Sequence, residues 1–268
     1  MPNWNSNRLS VKGNVLHVLQ FIDENFENYL TTPLDEKNGE YAYVLDFEVF
    51  LPTPKDENGE IIESWYEWRN KEWGCKWSPL IEQTIHLTLY KEDETTEHLT
   101  ITNTGEGDEF NHKHLEELFN TEDDSDLTAR LEVLFDTPWC PPTGIFVKWI
   151  DKYTELDFRL TFYEPGCCFA GEFNNENKEF NDVYYGTEDE ISYIQFILNE
   201  GFVELDYYKM ILEDILDEIN KDEDREFANR LVEKVCQTLD ELEDNFSRAM
   251  LIVDIMKQLS DIDTEEDK

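Results

Sequence analysis

Basic side chains are scarce in this chain relative to acidic ones. Twenty-two Lys and Arg face sixty-three Asp and Glu, giving a formal charge of -41 and a pI near 4.2 over 268 residues. A surface this negative is repelled by nucleic acid and by anionic lipid, so direct binding to either is excluded as an expectation. Long apolar runs are also missing, and nothing approaches the roughly 20 consecutive apolar residues of a membrane helix. The opening Met1-Pro2-Asn3-Trp4-Asn5 has neither the basic nor the apolar region of a secretory signal. The expected location is therefore the cytoplasm. Cysteine is sparse: Cys75, Cys140, Cys167, Cys168 and Cys236 are odd in number and irregularly spaced, which argues against a secreted disulfide framework and for reduced thiols.

Chemistry-bearing motifs are scarce as well. There is no CxxC pair, and His112-Lys113-His114 lacks the ligand spacing of a zinc site. The acidic runs Asp93-Glu94 and Glu122-Asp123-Asp124 lack the fixed glycine of a calcium loop. No Cys-His or Ser-His pair stands in a nucleophile context, and carboxylates are too numerous for any two to mark an acid-base pair. No catalytic residue, metal or cofactor is expected.

What remains is ample material for a core. Apolar residues make up 40% and aromatics 13%, so the charge sits on a folded body and not on a disordered acidic chain. From Arg8 to about Gly186 the pattern is strand-rich, and from Thr187 onward it is helical. Arg8–Lys12 alternates as a strand, and Asn14 caps a helix with Val15, Leu19, Ile22 and Phe26 on one stripe. Tyr41–Leu51 alternates again before Pro52 and Pro54. The order recurs: Leu131–Phe135 is a strand, Thr137–Pro142 a stiff turn, Thr143 opens a helix, and Leu156–Tyr163 is a strand with Phe158, Leu160 and Phe162 inward. Two successive β-α-β units predict an α+β, ferredoxin-like (split βαβ) antiparallel sheet. The expected partners in that one sheet are Arg8–Lys12, Tyr41–Leu51, Leu131–Phe135 and Leu156–Tyr163. Thr84–Tyr90 and Glu97–Thr102 read as a hairpin within an insertion at about 53–128, and Cys168–Phe173 and Glu179–Tyr184 as added edge strands. The domain reading is residues 1–186 followed by an acidic helical domain, 187–268.

Four strings carry a family resemblance. They are Met1-Pro2-Asn3-Trp4 with Asn7-Arg8, Trp73-Gly74-Cys75-Lys76-Trp77, Phe135-Asp136-Thr137-Pro138-Trp139-Cys140-Pro141-Pro142, and Phe162-Tyr163-Glu164-Pro165-Gly166 through Phe169-Ala170-Gly171. Together, over about residues 1–173, they resemble the YubB-type ferredoxin-like family of conjugative plasmids and phages. The resemblance implies a ferredoxin-like core and a mobile-element origin, and it brings no enzyme activity with it. Asn5 stands where many relatives carry Cys, and the acidic C-terminal region lies outside the resemblance.

Two surfaces are candidates for function. The first is aromatic: Trp139, expected buried against the Trp73–Trp77 segment, would form with Trp73 and Trp77 a plug or a pocket for a base or a peptide side chain. The second is acidic. Glu213, Asp214, Asp217 and Glu218 share one helical face, and Asp240, Glu241, Glu243 and Asp244 end the next helix. Residues four apart on a helix rise about 6 Å, close to the spacing of successive phosphates on one nucleic-acid strand. Halophilic solvation is disfavoured, because Lys and Phe are not depleted. The expectation is thus a phage or plasmid accessory protein in a bacterial cytoplasm. It would bind the basic surface of a host nuclease or other DNA-binding defence factor and replace phosphates with carboxylates. Two alternatives are a small-ligand or peptide module using the Trp-rich pocket and an interaction module whose acidity serves solubility alone. Self-association into a homo-oligomer is left open.

Overall fold

The computed structural model describes residues 3–30, 41–79, 83–90, 96–102 and 127–176, with short stretches at 183–185, 192–193, 196–197 and 200–202. The chain divides into two compact units, 1–167 with 172–182, and 168–171 with 183–268.

In the first unit, alternation of apolar and polar residues produces β1 (Trp4–Asn14), β4 (Thr84–Tyr90), β6 (Thr128–Pro138) and β7 (Asp157–Glu164). With β5 (Thr96–Thr102) they form a five-stranded antiparallel sheet in the order β5-β4-β6-β1-β7. β1 lies at its centre, paired with β6 from Trp4↔Pro138 to Asn14↔Thr128 and with β7 from Ser6↔Tyr163 to Lys12↔Asp157. β4 pairs with β6 from Thr84↔Leu134 to Tyr90↔Thr128. The split βαβ order is therefore present, since β6 separates β1 from β4 and β1 separates β6 from β7.

Two helices cover one face. α1 (Val15–Asn25) starts where Asn14 accepts from Leu16 N at 3.0 Å, as its sequence position suggests. α4 (Thr143–Lys152) follows the Pro141-Pro142 turn and buries Ile145, Phe146, Trp149 and Ile150. Between helices and sheet, Phe21 meets Phe158, Trp149 and Tyr153 edge-on at 5.5, 5.4 and 5.2 Å. Leu9, Val11, Ile85, Leu87, Leu131, Val133, Phe158, Leu160 and Phe162 are fully buried beneath them. Each such side chain contributes about 1.5–3 kcal/mol relative to exposure.

One expected strand is corrected. Tyr41–Leu51 does not join the sheet. Its first half is β3 (Tyr41–Leu45), which pairs with β2 (Phe26–Leu30) in a separate two-stranded sheet. Asp46 then accepts from Glu48 N at 2.9 Å and starts a one-turn helix, α2 (Phe47–Phe50). The apparent alternation through Phe47 and Val49 is broken by this cap: Phe47 is buried and Val49 is exposed. The place beside β6 belongs to β4, which pairs with β5 as the expected hairpin, from Thr84↔Thr102 to Tyr90↔Thr96, and is at the same time a strand of the sheet. Its inward Ile85, Leu87 and Leu89 are as buried as any residues of the centre.

In the second unit, β9 (Val183–Tyr185) pairs with the start of β8 (Phe169–Asn174), from Phe169↔Tyr185 to Gly171↔Val183. Residues 192–193 and 196–197 are helical, and Phe196 lies 5.3 Å from Tyr184. The expected acidic helical domain from residue 203 onward lies outside the described residues. Among the described residues, no helix is long and apolar enough to cross a membrane.

Candidate functional site

The Trp-rich segment is built on α3 (Trp65–Glu72), whose last turn places Arg69 between aromatic rings. The Arg69 guanidinium stands 4.6 Å from the Trp73 ring centroid and 5.1 Å from that of Trp65. Its Nη2 donates to Glu48 Oε1 at 2.6 Å and its Nε to Thr53 Oγ1 at 2.8 Å. The other Glu48 oxygen accepts from Thr53 N, so this half-buried ion pair has its hydrogen bonds met. Trp73 is fully buried, packs edge-on against Phe47 at 5.8 Å, and donates from Nε1 to Leu51 O at 3.0 Å. A cavity of about 260 Å³ opens beside these groups, lined by Val44, Leu45, Asp46, Glu48, Arg69, Trp73, Trp77, Ser78 and Pro79.

The turn after Trp73 is pressed onto the start of α4. Gly74 has φ +87°, and a Cβ there would lie 2.6 Å from Thr143 N, so only glycine fits. A Cβ on Gly144 would likewise lie 2.5 Å from Glu72 O. Ile145 N donates to Trp73 O at 3.1 Å, and Cys140 Sγ donates to Gly74 O at 3.0 Å. Lys76 Nζ rests 4.1 Å from the Trp77 ring centroid.

Trp139 is the second correction. It is 48% exposed and takes no part in the cavity. The backbone explains this. Trp139 has φ +71°, its N–H donates to Asn3 O at 2.9 Å, and Thr137 Oγ1 donates to Cys140 O at 2.8 Å. The turn so fixed points Cys140, and not the indole, at the 73–77 loop. The pocket therefore contains Trp73 and Trp77 without Trp139.

Sequence reasoning missed a buried polar cluster at this end of the sheet. Asn5, Asn7, Thr137 and Glu164 are inward and almost wholly buried. Asn7 Nδ2 donates to Thr137 Oγ1 at 2.9 Å and to the carbonyls of Asn5 and Phe135, while Asn5 Nδ2 donates to Asn7 Oδ1 at 2.7 Å. Glu164 accepts from the backbone N–H groups of Gly166 and Cys167. Asn5 Oδ1 is buried without a partner. The available signal was Asn5-x-Asn7 on the inward parity of a strand, where apolar residues were due. Of these, Asn7, Thr137 and Glu164 belong to three of the strings that carry the resemblance, Asn5 stands where it departs, and Cys140 ties the fourth string to them through Gly74.

Burial pushes the Cys75 thiol up, with Cys140 nearby adding to the effect, and burial also pushes Cys140 up, so neither is a thiolate at neutral pH. Among the described residues no three His, Cys, Asp or Glu side chains gather as a metal site. His112 and His114 lie outside the described residues. So do all eight acidic candidates: Glu213, Asp214, Asp217, Glu218, Asp240, Glu241, Glu243 and Asp244.

Known proteins add one finding to this geometry. Residues 115–201 match the family described as the ferredoxin-like domain in Api92-like protein. The Api92-like match takes in β6, α4, β7, β8 and β9, that is, the second β-α-β unit with Trp139, Cys140 and Glu164. The segment 73–77 and the strand bearing Asn5 and Asn7 fall outside it. No curated protein and no solved structure matches the chain.

Proposed function

We propose that this chain is an acidic accessory protein of a phage or plasmid that occupies the nucleic-acid site of a host DNA-handling protein. The YubB-type resemblance of its first two-thirds supports the mobile-element origin. The observation that carries the reading is the net charge of -41 on a chain with a packed core. Solubility asks for only about 2 to 8 charges on a small domain, while self-repulsion grows with every further one.

The described surface supports this in two ways. Its cations are largely consumed internally. Arg69 pairs with Glu48, Lys71 and Lys148 with Glu72, Lys152 with Glu24, Arg130 with Glu132 and Arg159 with Glu172. Lys76 lies on Trp77. Between 55 and 77, moreover, Asp56, Glu57, Glu60, Glu63 and Glu67 are exposed in the same stretch as Ile61, Tyr66 and Trp77, which are 50%, 49% and 37% exposed. Exposed apolar and aromatic residues interspersed with charge suit a protein-binding surface. The Asp56 carboxylate is held below the usual range by hydrogen bonds from the backbone N–H groups of Glu60 and Asn58, so the turn carries a fixed negative charge.

The test is a pull-down from bacterial lysate followed by displacement. The captured protein, loaded with a fluorescent duplex, should release it as this chain is titrated in, and bare duplex should not shift in a gel with this chain alone. A captured protein that keeps its DNA at saturation, or retardation of the bare duplex, overturns the reading.

A further inference from the structure

We propose that the cavity beside Trp77 receives an arginine side chain of the basic partner. The inference rests on the occlusion reading and adds the chemistry of one contact. At about 260 Å³ the cavity is smaller than the roughly 300–1,000 Å³ of sites that enclose drug-sized ligands, which suits a single side chain. Its charge is unbalanced in one direction. Arg69 and Glu48 neutralise each other at 2.6 Å, and the Glu48 oxygens are taken up by Arg69 and Thr53. Among the described residues no cation pairs with Asp46: its Oδ1 accepts from Glu48 N and Ser78 Oγ at 2.9 and 2.7 Å, and its second oxygen takes no hydrogen bond from them. A cavity wall thus offers an uncompensated carboxylate, with the half-exposed Trp77 indole on the same lining.

A guanidinium answers both features, because it is planar, stacks on an indole and donates in a fork to a carboxylate. Trp77 already carries a cation in the free chain, the Lys76 ammonium at 4.1 Å. That flexible side chain can swing into water when the incoming guanidinium takes the ring. An ammonium would meet Asp46 only as a point charge, so arginine is the occupant over lysine.

The experiment titrates the full chain with N-acetyl-arginine N-methylamide, with its neutral citrulline counterpart, and with inorganic phosphate, following the Trp77 indole N–H by NMR. Saturable movement with the arginine probe is expected. About tenfold weaker binding is expected for citrulline and for Asp46→Asn, since a hydrogen bond to a charged group is worth roughly 1.5–3 kcal/mol. Asparagine keeps the oxygen that caps α2, so this variant should fold. Trp77→Leu, at an exposed position, gives a second arm and should abolish the arginine response. Equal binding of citrulline, full binding by either variant, or movement with phosphate and not with arginine overturns the proposal. Displacement of DNA by the chain without an arginine response would remove this contact and leave the occlusion reading standing. An arginine response without displacement would do the reverse.

Discussion

Trp73 and Trp139 are the same residue type in similar Gly- and Pro-rich contexts, yet their environments are opposite. Trp73 ends a helix and falls inward, with its indole N–H on Leu51 O. Trp139 sits at φ +71°, a conformation that costs an L-residue roughly 1–2 kcal/mol, and its ring faces solvent. Trp73→Ala should therefore cost about 3–5 kcal/mol, as a large-to-small core change does. Trp139→Ala should cost less than about 1 kcal/mol, in the range of surface substitutions. Urea denaturation of the two variants checks both values, and a cost for Trp139→Ala matching that of Trp73→Ala would contradict this assignment. The aromatic content of the site was legible in the sequence, whereas the left-handed backbone at Trp139 was not. That turn is set by the Thr137 hydroxyl on Cys140 O and by the Trp139 N–H on the carbonyl of Asn3, more than a hundred positions away.

Elements were legible where one periodicity ran without competition. Residues 8–12, 131–135 and all of 156–163 but Leu156 fall in the sheet, and Asn14 and Thr143 stand at the starts of its two helices. The failure at 41–51 has a local cause, since alternation through Phe47 and Val49 was outweighed by the Asp46 cap. β4 was legible as half of a hairpin with β5, but its place beside β6 was not, because that pairing, from Thr84↔Leu134 to Tyr90↔Thr128, joins segments about forty to fifty residues apart. Where α1 ends against α4, an untried network joins the helices. Glu24 accepts from Gln20 Nε2 at 2.9 Å, from Lys152 Nζ at 2.7 Å and from Tyr153 OH at 2.8 Å. Trp149 Nε1 donates to Asn25 Oδ1 at 2.7 Å, and Asn25 Nδ2 donates to the same Tyr153 hydroxyl. The Gln20 and Lys152 hydrogen bonds, and to a lesser extent the one from Tyr153, lower the Glu24 carboxyl from 4.5 to about 2, against an opposing effect of burial. A carboxyl depressed in the folded state adds stability that is full above its unfolded value and is lost as pH falls toward the folded one. The stability difference between the native chain and Glu24→Gln should hold constant above about pH 5 and shrink between 4.5 and 2. Denaturation at a series of pH values, on dilute samples because the net charge vanishes near pH 4.2, measures it. A difference that stays flat down to pH 2 would mean that the network contributes nothing through the charge of Glu24.

At the scale of the whole molecule, charge and fold are separate arguments. The ferredoxin-like arrangement says how the core is closed and nothing of what the surface meets. The charge speaks of partners and nothing of fold. Its consequence is kinetic: a field summed over many carboxylates speeds encounter with a basic surface, and salt screens it over about 8 Å at physiological ionic strength. The association rate constant with a captured basic partner should fall steeply as salt rises, while the dissociation rate changes less. Two sets of carboxylates compete to be the face that leads. Neutralising Glu213, Asp214, Asp217 and Glu218 together should slow association and reduce its salt dependence if the C-terminal region makes the approach, with any single change doing little. Neutralising Glu57, Glu60, Glu63 and Glu67 should do so if the surface around Tyr66 makes it, and Tyr66→Ala should then raise the dissociation rate as the loss of a central aromatic anchor does. Stopped-flow measurement of the two quadruple variants at low and high salt separates the faces. An association rate indifferent to salt in the unmodified chain would mean that the acidic surface serves solubility alone.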